Sequence, residues 1–392
     1  MIVFILLVAS VLNDHLHRFF EVQPTRFQQW NSSRVLVLVM VRNEERIIGR
    51  LLQSIQATRA ADHLFVCDTG SKDNTAEIAR RHWPGMGWHY AGEFHDFETS
   101  RNLCMDGAKQ WLGPRIHALD WVLLPDADFT LHIQAGAEVT QPEFDTNIVQ
   151  IHSNTQGAPQ NALPLLVRAS TFFYQCRYRL WTHEMLDCCN ATTGYYNGLY
   201  WVDHSDGMSR PDKLKRDINL LEEWMFEYNK TRHDPGWRVD LYARGLYYLA
   251  RAHEDANHTH EAYLMYERHN QVQPWTSYQF YARYRMALIV LQEHRHAGRH
   301  ANWSAVEQAF LEAYSGPDGY FRREPLYYLA YVFQELHQWN RCILYASAGL
   351  SAPPVDHSRM PLFLEADKYS PDTFRRLQEQ CVLASKTYPI GV

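Results

Sequence analysis

Across its 392 residues the chain lacks a long run of Lys or Arg, a low-complexity tract and any pair of cysteines at C-x-x-C spacing. Each absence removes a class of function. Basic residues number 38 against 44 acidic ones, and the net charge of −6 leaves no electrostatic footprint for nucleic acid. Seven scattered cysteines, of which only Cys188 and Cys189 adjoin, read neither as a zinc site nor as a dense disulfide framework, though one or two disulfides fit. What is present is the balance of a globular protein, 46% apolar and 21% charged. The chain is too long for one ordinary core, so two or more domains are expected. The 23 Tyr and 12 Trp suit stacking on sugars and packing between helices equally.

Met1 to Leu12 is an apolar run too short to span a bilayer but suited to a signal-peptide core or a clipped anchor. The usual basic start is missing, and a truncated or mis-started N-terminus is the alternative. Asn31, Asn190, Asn229, Asn257 and Asn302 each begin an N-x-[ST] sequon. Together these predict a secretory-pathway location, in the ER or Golgi lumen or secreted, with the cytoplasm as the alternative.

Arg34–Val41 (RVLVLVMV) is the unbroken, β-branched run of a strand buried on both faces. A polar break at Arg42–Glu45 precedes an amphipathic stretch to about Ala57. His63–Cys67 is a second buried strand, closed by Asp68-Thr69-Gly70-Ser71 and followed by a helix over Asn74–Arg81. Trp121–Leu124 is a third, ending at Pro125-Asp126-Ala127-Asp128. Strands alternating with helices predict a parallel, doubly wound sheet, whose ligands bind beyond the carboxyl ends of the strands. All three polar clusters fall there.

From about Pro211 long amphipathic helices replace strands. A Y-x-[LM]-A pattern recurs at Tyr247–Ala250, Tyr284–Ala287 and Tyr327–Ala330, intervals that suit irregular helix-pair repeats of the tetratricopeptide kind. The expected division is an apolar segment and linker (1–30), an α/β domain (31–220) and an all-α helical-repeat domain (221–392).

Transfer of a sugar from a nucleotide diphosphate requires a held nucleotide, a neutralised diphosphate and a deprotonated acceptor. Asp126 and Asp128, one residue apart at a strand end, suit a shared hard cation that keeps positions open for phosphate oxygens. A nucleotidyltransferase is a rival reading, but Val39–Arg46 carries no glycine-rich phosphate loop. A degenerate domain that only presents the repeats is a second rival, and it has no need of Asp68, Arg101, Asp126 and Asp128 together.

Three stretches, Met40–Glu45 (MVRNEE), Val66–Thr75 (VCDTGSKDNT) and Leu124–Asp128 (LPDAD), resemble the signatures of family 2 glycosyltransferases with the GT-A, Rossmann-like fold. Phe94–Asn102 (FHDFETSRN) and Trp181–Glu184 (WTHE) are similar to two further segments of that family, so the resemblance covers about 34 to 220. The stretches EPLYYLA and MPLFLEADKY look like the helical tail of a branch that includes bacterial peptide S-glycosyltransferases.

The resemblance implies a UDP- or GDP-linked nucleotide-sugar donor, a divalent Mn2+ or Mg2+ ion, and a protein or glycan acceptor. It places Asn43 and Glu44 near the nucleotide, Asp68 on the nucleoside, and Ser71 and Asp73 around that pocket, with a helix N-cap as the alternative for Ser71. Arg101 and Asn102 approach the donor, Asp126 and Asp128 hold metal and sugar, and His204 is the candidate third metal ligand. Glu184 is the candidate general base of an inverting transfer, with Asp206 and Asp128 as rivals. Lys213 and Arg216 are placed over the diphosphate. Pro125 and Phe129, which flank the Asp pair, depart from the family pattern. The helical repeats are expected to dock the acceptor or a second copy of the chain, with the covering of an apolar face of the α/β domain as the alternative.

Overall fold

The computed structural model describes residues 30–154, 159–207, 212–272, 276–353 and 369–387. Met1–Leu12, Pro211 and residues 360–368 of the tail resemblance lie outside them.

The first half runs β1 (Val35–Val41), α1 (Ile48–Thr58), β2 (His63–Asp68), α2 (Thr75–His82), β3 (Gly87–Tyr90), α3 (Phe97–Leu112), β4 (Trp121–Leu123) and β5 (Phe129–Ile133). It continues with β6 (Thr146–Ser153), β7 (Pro159–Arg168), α4 (Ala169–Gln175), β8 (Cys176–Arg179), β9 (Met185–Cys188) and β10 (Thr193–Asp203). The unbroken apolar sequence of β1 has two cores to serve. Val35, Val37, Val39 and Val41 pack with Ile48, Leu51, Leu52 and Ile55 of α1 on one face. Leu36 and Leu38 pack with Cys104, Met105, Ala108 and Leu112 of α3 on the other.

The main sheet has the order β3-β2-β1-β4-β7-β6-β10-β5. It is mixed rather than wholly parallel: β3, β2, β1 and β4 run parallel, whereas β7 is antiparallel to β4 and β6, and β5 to β10. The β3-β2-β1-β4 half is thus the expected Rossmann-like arrangement, and a mixed half, in which β10 runs parallel to β6, extends it beyond the Asp126–Asp128 loop.

The second half consists of α5 (Lys213–Lys230), α6 (Val239–Asp255), α7 (Thr259–Val272), α8 (Thr276–Ala297), α9 (Trp303–Ser315), α10 (Glu324–Glu335), α11 (Trp339–Ser351) and α12 (Pro371–Thr387). The Y-x-[LM]-A motifs fall on α6, α8 and α10, the first helix of each successive pair. Their alanines, Ala250, Ala287 and Ala330, are fully buried. A small side chain at each crossing lets the neighbouring helix approach closely. The expected boundary at 220 falls inside α5. Leu180 between β8 and β9 shares one cluster with Leu221 and Trp224 of α5 and Leu241, Leu246 and Leu249 of α6. The two halves are therefore welded through a common core.

Three disulfides form, Cys67–Cys104, Cys176–Cys188 and Cys342–Cys381, one more than expected. The partners are 12 to 39 residues apart and meet only once sheet and helices are assembled. Among the described residues, no helix is long and apolar enough to cross a membrane.

Candidate active site

The loops after β1 and β2 are knitted into one platform. The Asn43 amide donates to Ser71 Oγ at 3.0 Å, the Lys72 amide to Asn43 Oδ1 at 2.7 Å, and the Glu44 amide to Thr75 Oγ1 at 2.7 Å. Asn43 holds this position with φ 56°, a left-handed conformation that Asn tolerates better than most side chains. Ser71 therefore ties the loops together and does not cap α2. The N-cap residue, Asn74, makes no side-chain cap bond either, and Asp73 braces the turn before α2, its Oδ1 accepting from the Thr75 amide at 3.0 Å and its Oδ2 from the Glu45 amide at 3.1 Å. Burial raises the Asp73 pKa, but the bonds from the Thr75 hydroxyl and the Glu45 and Thr75 amides outweigh it and hold the carboxyl below its ordinary range.

Asp68 ends β2, and its Oδ1 accepts the amides of Gly70 and Ser71 at 3.1 and 2.8 Å. Gly70 carries φ 101°, which requires glycine. Among the described residues nothing occupies Asp68 Oδ2, so one carboxylate oxygen stays open at the carboxyl end of the strand. The Cys67–Cys104 disulfide staples this end of β2 to α3.

Arg101 of α3 joins the third cluster. Its Nε donates to Glu184 Oε1 and its Nη2 to Asp126 Oδ1 at 2.8 Å, with the guanidinium 5.4 Å from the Tyr178 ring centre. The Arg101 and Glu184 side chains are 14% and 13% exposed, whereas Asp126 is 48% exposed. Asp128 is buried, and its Oδ2 lies 3.4 Å from the Gly207 amide. A Cβ at Gly207 would stand 3.2 Å from Asp128 Oδ2 and 3.6 Å from Glu44 Oε1, so the buried Glu44 and Asp128 carboxylates approach one another across it.

Other expected site residues stand elsewhere. The Asn102 side chain is taken up by the Tyr178 backbone, with Nδ2 and Oδ1 each 3.0 Å from it, and clamps β8 onto α3. Among the described residues His204 forms no three-ligand cluster with Asp126 and Asp128, although its ring feels the Asp128 charge. Its Nε2 lies 3.0 Å from Thr130 Oγ1, in a cavity of about 500 Å³ lined by Arg50, His132, His152 and Tyr200. The reason is local: the His204 amide bonds the Asp128 carbonyl at 3.2 Å, continuing the β10–β5 pairing and turning the ring toward α1. Asp206, the rival base, is gripped by Arg50 through two bonds of 2.8 and 2.7 Å. Among the described residues, no three metal-type side chains gather. Asp126 and Asp128 nonetheless fit a hard cation of the Mg2+ or Mn2+ kind, which usually takes one or two carboxylates and fills its remaining positions with phosphate and water.

Lys213 and Arg216 both turn onto Asp217, at 2.5 and 3.0 Å, instead of projecting free from α5. The Asp217 side chain is 2% exposed and also meets Thr182 Oγ1 at 3.2 Å and His183 Nε2 at 3.6 Å. Both cations thus lie on one buried carboxylate beside the Thr182–His183 segment. Asp217 was not expected from the sequence, although the Lys213–Asp217 spacing is a helical i, i+4 pair.

Residues 36–202 match a family model described as glycosyl transferase family 2. The α/β half is a glycosyl transferase family 2 domain. The match runs from β1 to β10 and contains Asp68, Arg101, Asp126, Asp128 and Glu184. A TPR repeat-containing protein of Synechococcus elongatus is 28% identical over 160 residues, 40% of this chain and 36% of its own length. The chain therefore spans about a third of that relative. Among solved structures, TarS of S. aureus has 13% identity and a TM-score of 0.36, over 71% of this chain and 55% of that one. MamA from Desulfovibrio magneticus has 14% identity and 0.27, over 45% and 89%. A glucosyl-3-phosphoglycerate synthase from Mycobacterium tuberculosis, in complex with Mn2+, UDP and phosphoglyceric acid, has 18% and 0.23, over 32% and 44%. TM-scores this low carry no argument about chemistry, and none of these likenesses singles out the peptide S-glycosyltransferase branch.

Proposed function

We propose that the chain transfers a sugar from a UDP- or GDP-linked donor to a protein or glycan acceptor, with inversion and with a divalent cation. The observation that carries this reading is the ion-paired chain Glu184–Arg101–Asp126, which ties the loop after β4 to the Trp181–Glu184 segment, with Asp68 Oδ2 left open at the end of β2. Asp68 Oδ2 accepts from the nucleoside, on the platform formed by Asn43, Ser71 and Asp73. Asp126 and Asp128 would hold the cation, Mn2+ or Mg2+, which when bound offsets charge on the departing diphosphate. Lys213 and Arg216 act on the same group.

In the transfer, the acceptor heteroatom attacks the anomeric carbon from the face opposite the diphosphate. The bond to the diphosphate oxygen breaks, and the acceptor proton passes to the Glu184 carboxylate. Arg101 orients that carboxylate through Nε. Glu184 is favoured over Asp206 because both Asp206 oxygens are bound by Arg50. A cavity of about 300 Å³ between α7, α8 and α9, lined by Tyr263, Glu267, Arg283 and Met286, supports docking of the acceptor or of a second copy.

Release of nucleoside diphosphate across UDP- and GDP-sugars, with Mn2+ and with a chelator, tests the reading. Release that stops on chelation is expected. Undiminished turnover removes the metal, and no release from any donor removes the transferase.

Three disulfides and five exposed sequon asparagines, Asn31, Asn190, Asn229, Asn257 and Asn302, support folding in an oxidising, glycosylating lumen. A loss of mass on peptide N-glycosidase treatment of the protein from eukaryotic cells is expected. An unchanged mass would favour the cytoplasm.

A further inference from the structure

Arg101 fixes Glu184 from the α/β side, but a carboxylate is placed by its backbone before it is placed by its partner. The backbone here is unusual. His183, one residue before Glu184, has φ 54°, a conformation that costs a side-chain-bearing residue free energy and persists only where its surroundings over-determine it. Most of those surroundings come from the helical half.

Arg244 of α6 donates Nε and Nη2 to the His183 carbonyl at 3.2 and 3.0 Å. That carbonyl belongs to the peptide bond joining His183 to Glu184, so two bonds from one planar guanidinium fix the peptide plane and with it the direction of the Glu184 Cα–Cβ bond. Tyr248, one turn further along α6, stacks on the His183 ring with centres 4.3 Å apart and planes 8° from parallel. The Arg244 guanidinium lies 4.8 Å from the same Tyr248 ring, and its Nη1 is 3.4 Å from Tyr278 Oη on α8. Burial and the Lys213 charge hold the His183 imidazole below its ordinary pKa despite the pull of Asp217, so the ring is neutral and stacks as an aromatic. On the other flank, the Leu180 amide donates to Glu98 Oε2 at 2.7 Å and the Phe97 amide to the Trp181 carbonyl at 2.8 Å. The segment 180–184 is thus bridged between α3 and the first repeat helix.

We infer that Arg244 and Tyr248 are positioning residues for Glu184, and that the first helix of the repeat domain is a wall of the active site. This rests on the transferase reading, in which Glu184 takes the acceptor proton. On this view the repeats hold the base in register, and without the Arg244 and Tyr248 contacts the carboxylate loses its aim.

The test uses the full chain. In Arg244→Ala and Tyr248→Ala, amide exchange at 182–185 should quicken on the order of tenfold or more while β1 and α3 keep their protection. Tyr248→Phe, which keeps the ring but loses the hydroxyl's bond to Tyr278, should stay closer to the wild type than Tyr248→Ala. Unchanged exchange at 182–185 in both alanine variants overturns the inference, and so does loss of protection across β1, which would make the contacts merely structural. With UDP-glucose, UDP-N-acetylglucosamine and GDP-mannose offered with Mn2+, Arg244→Ala should lower kcat on the order of a hundredfold while donor KM holds within about twofold. In a Glu184→Gln background the same substitution should add little, because no base remains to be aimed. A full multiplicative loss there overturns the inference. Wild-type activity in Glu184→Gln alone, or no turnover of any donor by the wild type, counts instead against the transferase reading, and exchange still decides the clamp.

Discussion

In the α/β half the reactive carboxylates crowd the carboxyl ends of β1, β2 and β4, whereas the helical half fills its interior with stacked rings. Tyr247 alone has Tyr266, Tyr278, Tyr281 and His269 within 4.9 to 6.2 Å, measured between ring centres. The first arrangement pins short loops to a rigid sheet and can aim side chains at a ligand. The second makes a stiff body with little chemistry of its own. The two meet at Leu180–Glu184, where the sheet's chemistry borrows the helices' stiffness. That junction is where the comparison can be broken.

The largest effect is expected from cutting it. A chain ending at Asp217 loses Leu221, Trp224 and Leu246 from the cluster around the buried Leu180. It should fail to melt cooperatively, since Trp224→Ala by itself is expected to cost about 3–5 kcal/mol. A soluble, fully active fragment would show that the halves are independent. Next comes Asp128→Ala in the full chain, expected to lower donor turnover by roughly a hundredfold or more, with secondary structure unchanged by circular dichroism. Loss of the fold instead would make Asp128 a structural carboxylate.

The disulfides sharpen the contrast between the regions. Cys67→Ser and Cys342→Ser each break a loop closure expected to be worth about 2–4 kcal/mol. Both should lower the melting temperature, but only Cys67→Ser, beside Asp68, should also weaken nucleotide binding. Equal effects on binding would mean that the helical half reaches the nucleotide.

The pH response of the helical half is expected to come in part from His269, which is fully buried and whose pKa burial pushes down to about 4 from 6.5. On acidification the unfolded chain takes up the proton first. This stability is therefore complete above about pH 6.5 and is lost as pH falls toward 4, with about 2 kcal/mol gone by about pH 5. His269→Leu should flatten that part of the melting-temperature profile, and an unchanged slope would assign it to other groups. The smallest effect belongs to Asp68→Ala, expected to weaken nucleoside diphosphate binding about tenfold by calorimetry. Unchanged affinity would reduce Asp68 to a turn former.

Much of this was legible in the sequence where causes are local. The strands β1, β2 and β4, the loops after them and the Asp68 turn follow from apolar runs and turn residues within a dozen positions of each other. The mixed half of the sheet was not, because β6 and β7 carry polar residues such as Gln150, His152 and Asn161 that hide a buried strand's pattern. The placements of Asn102 and His204 depended on which way a side chain leaves its element, and spacing alone does not report that. The ion pair Arg101–Glu184 joins residues 83 apart, the bonds of Arg50 to Asp206 span 156, and those of Arg244 to the His183 carbonyl span 61. Glu184 was found through a family-like segment, but nothing in Arg244 or Tyr248 sets them apart from other residues of an amphipathic helix.

The most direct measurement of the central claim is a crystal structure of the full chain with UDP and Mn2+, or with GDP and Mn2+, using the anomalous signal of manganese. The account predicts the nucleoside on Asp68 Oδ2, the metal within bonding distance of Asp126 or Asp128, and Glu184 facing the open side of the diphosphate. A nucleotide bound away from the ends of β1, β2 and β4, or a metal that ignores both aspartates, would contradict it.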